Sequence, residues 1–249
     1  MTIVKTLAEY QALNLPESRG FIPTLGALHE GHMSLIEPSL QQNDCTVVSI
    51  YLNPTQFNKE SDLESYPSTL SEDVEKLKQA HVDVLFLPDY QTVYPDNFAF
   101  RVTEENLSHR FCGKFRPGHF DGVLTVVLKL LNIIKPTKAY FGEKDYQQLR
   151  LIERMCDALY LSTEIVACPT YREESGLAYS SRNALLPLDL RLNVAPLLYQ
   201  TLLTNQTLEM KQKALEEMGF EVEYLEEYEG RILAAANLSG VRLIDNVLL

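Results

Sequence analysis

The strongest constraint on the fold is a series of short apolar segments separated by helical patterns. Five segments are rich in β-branched and aromatic residues, at positions 20–25, 46–52, 82–87, 139–141 and 164–167. Strands that are apolar on both faces are typical of parallel sheets covered by helices on two sides. Because helical patterns lie between them, we expect an α/β fold with a doubly wound parallel sheet.

Three of the intervening segments carry clear helical signals. Residues 70–79 open with Ser71 and acidic side chains that suit a helix N-terminus. Residues 122–134 place valines, leucines and isoleucines on one broad face, which predicts a buried helix, and residues 145–159 repeat apolar side chains every three or four positions. Pro38 lies inside a helix predicted to begin near Gly31, so we expect that helix to kink or end early.

The pattern changes after about residue 175. Residues 190–203 and 208–218 are typical of helices, and Gly219 is placed to stop the second one. Short strands follow at 221–225, 231–236 and 241–244. We therefore predict a first domain at residues 1–174 and a small α+β C-terminal domain at residues 175–249.

Composition excludes several classes of protein. The 249 residues include 34 acidic and 22 basic side chains, a net charge of −12, which disfavours binding to nucleic acid. The longest apolar stretch, 123–134, is interrupted by polar residues and is too short to span a membrane. With no signal-peptide pattern in the first residues, we expect a cytoplasmic protein. The four cysteines form no CxxC pair, so we expect reduced, mostly buried thiols.

The first segment that suggests chemistry is FIPTLGALHEGH, residues 21–32. A strand runs into a glycine-containing turn and then a helix that begins near His29 and His32. Free backbone N–H groups and the helix dipole favour an anion there, and the imidazoles can donate hydrogen bonds to a phosphoryl group. Two alternatives remain at this point. The histidines could bind a metal, although zinc proteases use the spacing HExxH, or they could be ordinary loop residues.

This element resembles the HxGH motif of the superfamily that contains nucleotidylyltransferases and class I aminoacyl-tRNA synthetases. That resemblance implies a Rossmann-like domain that binds ATP at the carboxyl ends of parallel strands. The position agrees with the rule that open α/β sheets bind ligands at those ends.

Four later segments narrow the resemblance. They are YLNPTQF (51–57), GKFRPGHFDGV (113–123), FGEKDYQQL (141–149) and TYREESGLAYSSRN (170–183). Together with HxGH, in this order, they resemble the pantoate–β-alanine ligases from residue 20 to about 186, with a further match in GVRLIDN (240–246). The resemblance implies that pantoate attacks the α-phosphorus of Mg-ATP to form pantoyl adenylate. β-Alanine then displaces AMP, and the enzyme is a homodimer.

The resemblance also assigns roles to residues of this chain. It implies that His29, His32, Lys144 and Arg182 are catalytic, and that Gln56, Gln148, Asn53 and His119 bind pantoate or β-alanine. Asp73 falls where the family contacts Mg²⁺, although most ligands of Mg²⁺ are expected to be phosphate oxygens and water. The residues expected to bind ATP are Pro23, Thr24, Leu25, Gly26, His29, Gly31, His32, Phe141, Gly142, Lys144, Asp145, Tyr171, Tyr179, Ser180, Ser181 and Arg182.

Simpler explanations exist for single residues. Lys144 and Asp145 could form a surface ion pair, the two glutamines could be surface amides, and the serines could cap the segment that follows. The chain also departs from the family pattern. Leu25 replaces a methionine, Ser68 replaces an arginine, Tyr171 and Tyr179 replace smaller side chains, and the C-terminal portion is short. Another nucleotidylyltransferase, a tRNA synthetase or a catalytically silent relative therefore remain alternatives.

Overall fold

A parallel sheet forms the centre of the larger part of the chain. The structure is a computed structural model that describes residues 1–58, 60–64 and 66–249. Within these ranges six parallel strands lie in the order β1-β4-β3-β2-β5-β6. Their bounds are β1 (Thr2–Val4), β2 (Arg19–Thr24), β3 (Cys45–Ile50), β4 (Val84–Phe86), β5 (Lys138–Gly142) and β6 (Glu164–Cys168). The predicted doubly wound α/β sheet is therefore confirmed, and β1 is a short edge strand that the sequence pattern did not indicate.

Helices cover both faces of the sheet. Alternate residues of each strand point to opposite sides, so Phe21 packs in one core and Ile22 in the other. The helices of this part are α1 (Leu7–Gln11), α2 (Glu30–Gln42), α3 (Glu60–Glu64), α4 (Leu70–Gln79), α5 (Tyr90–Val93), α6 (Cys112–Phe115), α7 (His119–Ile134) and α8 (Tyr146–Ala158). Helices α2 and α4 share the core of Ile22, whereas α7 and α8 share that of Phe21.

The sequence suggested that helix α2 would kink or end early at Pro38, and the early end does not occur. The helix continues to Gln42, and its C-terminal turn is held by contacts with the sheet. Ile36 and Ser39 are buried, and the Ser39 hydroxyl lies 2.8 Å from that of Thr46 on β3. Packing and this hydrogen bond offset the backbone hydrogen bond that Pro38 cannot donate.

The rest of the chain forms a smaller α+β unit, with helices before strands as predicted. A π-helical turn at Leu190–Val194 precedes α9 (Leu197–Leu202) and α10 (Leu208–Glu217). Gly219, with a φ of 92°, follows the end of α10, which confirms its predicted place at the stop. Three antiparallel strands then form a sheet with its own apolar core: β7 (Glu221–Tyr228), β8 (Arg231–Leu238) and β9 (Val241–Leu248).

Ion pairs connect the two parts. Arg172, which follows β6, forms a bidentate pair of 2.7 and 2.8 Å with the buried carboxylate of Asp245 on β9. Glu229, in the turn between β7 and β8, pairs at 2.7 Å with both Arg150 and Arg154 of α8. The small unit is therefore held against the helix that follows the carboxyl end of β5.

Two other expectations concern the cysteines and the membrane. All four cysteines are free and buried, as predicted. Among the described residues, none of the helices combines the length and the apolarity needed to cross a membrane.

Candidate active site

A cleft that is partly open to solvent lies at the carboxyl ends of β2 and β5. Strands β3 and β5 lie on opposite sides of β2, so chain order reverses here, and such a point is where open α/β sheets bind ligands. Of the predicted site residues, Gly26 and Asp73 do not line this cleft. Those that do are Pro23, Thr24, Leu25, His29, Gly31, His32, Asn53, Gln56, His119, Phe141, Gly142, Lys144, Asp145, Gln148, Tyr171, Tyr179, Ser180, Ser181 and Arg182.

The two histidines of the HxGH motif stack at the N-terminus of α2. Their ring centroids are 4.0 Å apart, and the backbone N–H of His29 donates to Nδ1 of His32 over 3.4 Å. The proton of a neutral His32 ring is therefore on Nε2. Gly31 favours this packing, since a Cβ there would lie 3.0 Å from the His29 ring and 3.2 Å from Tyr179, closer than most Cβ contacts.

Both imidazoles are uncharged at neutral pH. Burial, with the Lys144 ammonium nearby, lowers the pKa of His29 to about 4. Burial and the adjacent His29 lower the pKa of His32 well below its ordinary value. Nδ1 of His29 is buried and has no hydrogen-bond partner among the described residues.

Lys144 supplies positive charge beside these rings. It follows β5 in the 3₁₀ turn Glu143–Asp145, and its Nζ lies 3.9 Å from Asp145 Oδ2. That distance is too long for a hydrogen bond, and the Lys144 side chain is only 20% exposed. The ion pair considered from the sequence is therefore present but long, and Lys144 also faces the cleft.

Gln56 is held by the residues around it. Asn53, which is fully buried, donates to Gln56 Oε1 over 3.1 Å and to the Gly122 carbonyl over 3.2 Å. Its own oxygen accepts from Thr55 and Tyr94, so all four of its hydrogen-bonding positions are occupied. Asn53 thus supports Gln56, and it lines the cleft together with Gln56 and Gln148.

His119 also supports Gln56. Its Nδ1 lies 2.8 Å from the Gln56 carbonyl and must donate, while Nε2 lies 3.1 Å from Arg116 Nη1 and must accept. Both ring nitrogens are occupied, which assigns the neutral tautomer with the proton on Nδ1. Arg116, which the sequence analysis did not single out, lines the cleft. The available signal was its position in the segment RPGHF.

Substitution of His119 by asparagine should change the acid stability of the protein. Burial lowers the pKa of His119 to about 3, whereas in the unfolded chain it is near 6.5. Between these values the unfolded state binds more protons, so stability falls as the pH falls. His119 should remove about 2 kcal/mol from the free energy of unfolding between pH 7 and pH 5. Urea denaturation at both pH values should show this loss in the wild type and a smaller loss in H119N, whose amide can still donate to Gln56. Equal losses would contradict the assignment.

Asp73 lies behind the cleft and not in it. Its two carboxylate oxygens accept hydrogen bonds of 2.8 Å from the backbone N–H groups of Ala27 and Leu28, and Thr69 donates a third. Gly26 and Ala27 have φ angles of 91° and 52°, so Asp73 holds a turn with left-handed backbone. This geometry argues against the predicted role of Asp73 as a metal ligand. Across residues 1–58, 60–64 and 66–249, no group of three histidine, cysteine or carboxylate side chains is placed to hold a metal ion.

The segment with two serines closes one side of the cleft. Ser181 donates to the Tyr66 hydroxyl over 3.3 Å, and Tyr66 donates to the Gly26 carbonyl over 3.4 Å. Ser180 accepts from the Arg182 N–H, so the capping role considered from the sequence is present. Tyr179 stands 5.4 Å from Tyr171 and 6.0 Å from His29, measured between ring centroids. Aromatic rings therefore border the cleft where the adenine was expected.

Similarity to known proteins agrees with this geometry. A family model described as pantoate–β-alanine ligase matches residues 2–248. The chain belongs to the pantoate–β-alanine ligase family. A pantothenate synthetase of Bdellovibrio bacteriovorus is 46% identical over 98% of both chains. One from Legionella pneumophila is 49% identical over 93% of this chain and 92% of its own.

Solved structures of this family have the same fold. The pantoate–β-alanine ligase of Francisella tularensis, complexed with beta-gamma ATP and β-alanine, has a TM-score of 0.94 and 40% identity. The match covers 100% of this chain and 97% of the other. The pantothenate synthetase of Thermus thermophilus has a TM-score of 0.91 and 40% identity. That match covers 100% of this chain and 99% of the other.

Membership of the pantoate–β-alanine ligase family decides between the alternatives left by the motifs. It confirms the resemblance drawn from the five segments, and it excludes a tRNA synthetase or another nucleotidylyltransferase that shares only HxGH. The short C-terminal portion is not particular to this chain, because the Bdellovibrio relative is matched over 98% of its length. The domain boundary at residue 174 stays a prediction, and so do the roles of the single site residues.

Proposed function

We propose that this protein condenses pantoate with β-alanine through a pantoyl adenylate. Membership of the family supports the overall reaction, which consumes ATP. The observation that supports the adenylate route is the composition of the cleft. Two uncharged histidines and Lys144, which suit phosphate, share it with Gln56 and Gln148, which suit a hydroxy acid. The cleft thus offers a place for a carboxylate next to a phosphate.

The proposed chemistry has two steps. A carboxylate oxygen of pantoate attacks the α-phosphorus of ATP, forming a C–O–P linkage as diphosphate leaves. The amine of β-alanine then attacks the acyl carbon, AMP leaves, and the nitrogen releases a proton. The mixed anhydride is already activated, so no nucleophile from the protein is required. The protein positions the reactants and stabilises the charge that develops.

Single residues receive the following proposed roles. His29 and His32 donate hydrogen bonds to the phosphates as neutral rings, and Lys144 with Arg182 balances the charge of the departing diphosphate. Gln56 and Gln148 bind pantoate through neutral amides, with Asn53, His119 and Arg116 around them. The ribose is bound by Gly142 and Asp145, and the adenine by Tyr171 and Tyr179. The phosphates are also bound by Ser180 and Ser181.

Mg²⁺ is proposed to enter with ATP as part of the substrate. The described residues provide no cluster of carboxylates for it, and both oxygens of Asp73 already accept hydrogen bonds from the turn and from Thr69. This fits an ion held by phosphate oxygens and water, as is common for Mg²⁺. When bound it would reduce the negative charge of the phosphates. We further propose that the protein is a homodimer, as the family resemblance implies, and that it is cytoplasmic.

The proposed function is tested by AMP formation from ATP and Mg²⁺ with (R)-pantoate, measured with and without β-alanine. We expect repeated turnover only when both acids are present. A control reaction contains β-alanine without pantoate, and it should release no AMP. AMP release that ignores β-alanine would indicate another acceptor. Binding of ATP without any AMP would indicate the catalytically silent relative.

A further inference from the structure

Asn246 on β9 connects the C-terminal sheet to the turn that carries Lys144. The side chain is only 3% exposed, and its amide nitrogen donates to two consecutive carbonyls. The distances are 2.8 Å to the Glu143 oxygen and 3.1 Å to the Lys144 oxygen. Both amide hydrogens of Asn246 are therefore used on the main chain of one turn.

Asn246 is itself held in place. Its Oδ1 accepts from Arg231 Nη1 over 2.8 Å, and the other terminal nitrogen of Arg231 lies 3.0 Å from Glu143 Oε2. The backbone N–H of Asn246 donates to Asp245 Oδ1 over 2.7 Å, and Asp245 pairs with Arg172. Because each neighbour of Asn246 is bonded in turn, its amide has little freedom to reorient.

The turn that it contacts joins a strand to a helix and borders the cleft. Glu143–Asp145 is one turn of 3₁₀-helix between β5 and α8. Gly142 precedes it and lines the cleft, and a Cβ on Gly142 would meet nothing within 4 Å, so the turn faces open space on that side. The amide of Asn246 gives the carbonyls of Glu143 and Lys144 donors from outside the segment, so the C-terminal sheet is bonded directly to the main chain of this turn.

We propose that Asn246 is a positioning residue for Lys144. By fixing the carbonyls of Glu143 and Lys144, it sets the direction in which the Lys144 side chain leaves the turn and enters the cleft. The C-terminal unit thus contributes to phosphate binding through a residue that bonds the main chain of Lys144. This inference rests on the proposed function, in which Lys144 binds the phosphates of ATP.

The first test is Asn246→Ala, compared with Asn237→Ala as a matched control. Asn237 lies on the neighbouring strand β8 and caps a turn by accepting from the Gly240 N–H. For N246A we expect KM for ATP to rise about tenfold, with KM for pantoate and β-alanine within about twofold of wild type. N237A should keep all three constants. An unchanged KM for ATP, or an equal rise in all three constants, would overturn the proposal.

A second variant covers the case in which N246A does not fold. Arg231→Gln leaves Asn246 in place and removes the guanidinium that orients its amide. We expect a smaller rise in KM for ATP, about threefold, again without a matching rise for the two acids. If folded R231Q shows no rise in KM for ATP, the proposal is overturned, as it would be by the same result in N246A.

A double-mutant cycle with Lys144→Ala separates this inference from the proposed function. If Asn246 acts through Lys144, N246A should have almost no further effect on kcat/KM for ATP in the K144A background. Full additivity would overturn the positioning role while leaving the function intact. If the wild type forms no AMP, the proposed function fails, and the same cycle is measured on ATP binding by calorimetry. In that measurement too, additive effects of the two substitutions would overturn the positioning role.

Discussion

Lys144→Ala is expected to lower kcat/KM for ATP by about 100- to 1000-fold. The protein carries a net charge of −12, so an anionic nucleotide needs local positive charge in the cleft. Lys144 is a largely buried cation of that cleft, and its removal leaves phosphate charge uncompensated where water screens it poorly. The measurement is steady-state AMP formation with ATP varied and both acids saturating.

Lys138→Ala is the matched control, because Lys138 begins the strand that ends beside Lys144. Its ammonium donates to Gln42 over 3.0 Å and lies 3.8 Å from Glu164, at the opposite end of β5 from the cleft. We expect K138A to keep kcat/KM within about twofold of wild type, as is usual for a weak surface pair. Near-normal kcat/KM in K144A would remove Lys144 from the proposed mechanism.

His32→Asn and His32→Gln are expected to differ in kcat, because each keeps the hydrogen-bonding position of a different ring nitrogen. Asparagine can accept from the His29 N–H, as Nδ1 does, but it lacks a donor at the position of Nε2. Glutamine reaches that position. We expect kcat to fall about 100-fold or more in H32N and markedly less in H32Q. Single-turnover formation of the adenylate without β-alanine measures the step concerned.

The folded fraction of both variants is the control for this comparison, measured by thermal unfolding. Equal rates in H32N and the wild type would contradict a donor role for His32. Equal losses in both variants would indicate that the ring acts by packing against His29 and not by donating. The pKa of His32 is far below its ordinary value. Activity should therefore not fall between pH 8 and pH 6 through protonation of this ring.

Much of the fold was predictable from local sequence patterns. The five predicted strands lie within about two residues of β2 to β6, and the helix predicted at residues 70–79 has the bounds of α4. Apolar periodicity reports which faces of an element are buried, so it identifies elements without knowledge of their partners. Strand β1 was not predicted, because its three residues are too few to show an apolar pattern. Helix α2 passes through Pro38 because packing against β3 outweighs a local cost.

Candidate site residues were predictable where they follow the strands directly. The HxGH segment and Lys144 come just after β2 and β5, and the carboxyl ends of parallel strands meet at one edge. Motif position alone, however, did not show which residues of the cleft have polar atoms that are already bonded to neighbouring residues. Asn53 and His119 were predicted as ligands, and the structure shows their polar atoms occupied by neighbours.

The amino-acid sequence was thus sufficient for the fold class, the family and the strand ends that form the cleft, since all three depend on patterns within short segments. The supporting contacts required the folded chain. Asp73 bonds the turn at Ala27 across 46 positions, and Asn246 bonds Lys144 across 102. Such pairs have no local signature, because any polar residue can meet a backbone group that folding brings near. Only their spatial arrangement distinguishes a residue that binds a ligand from one that holds another residue in place.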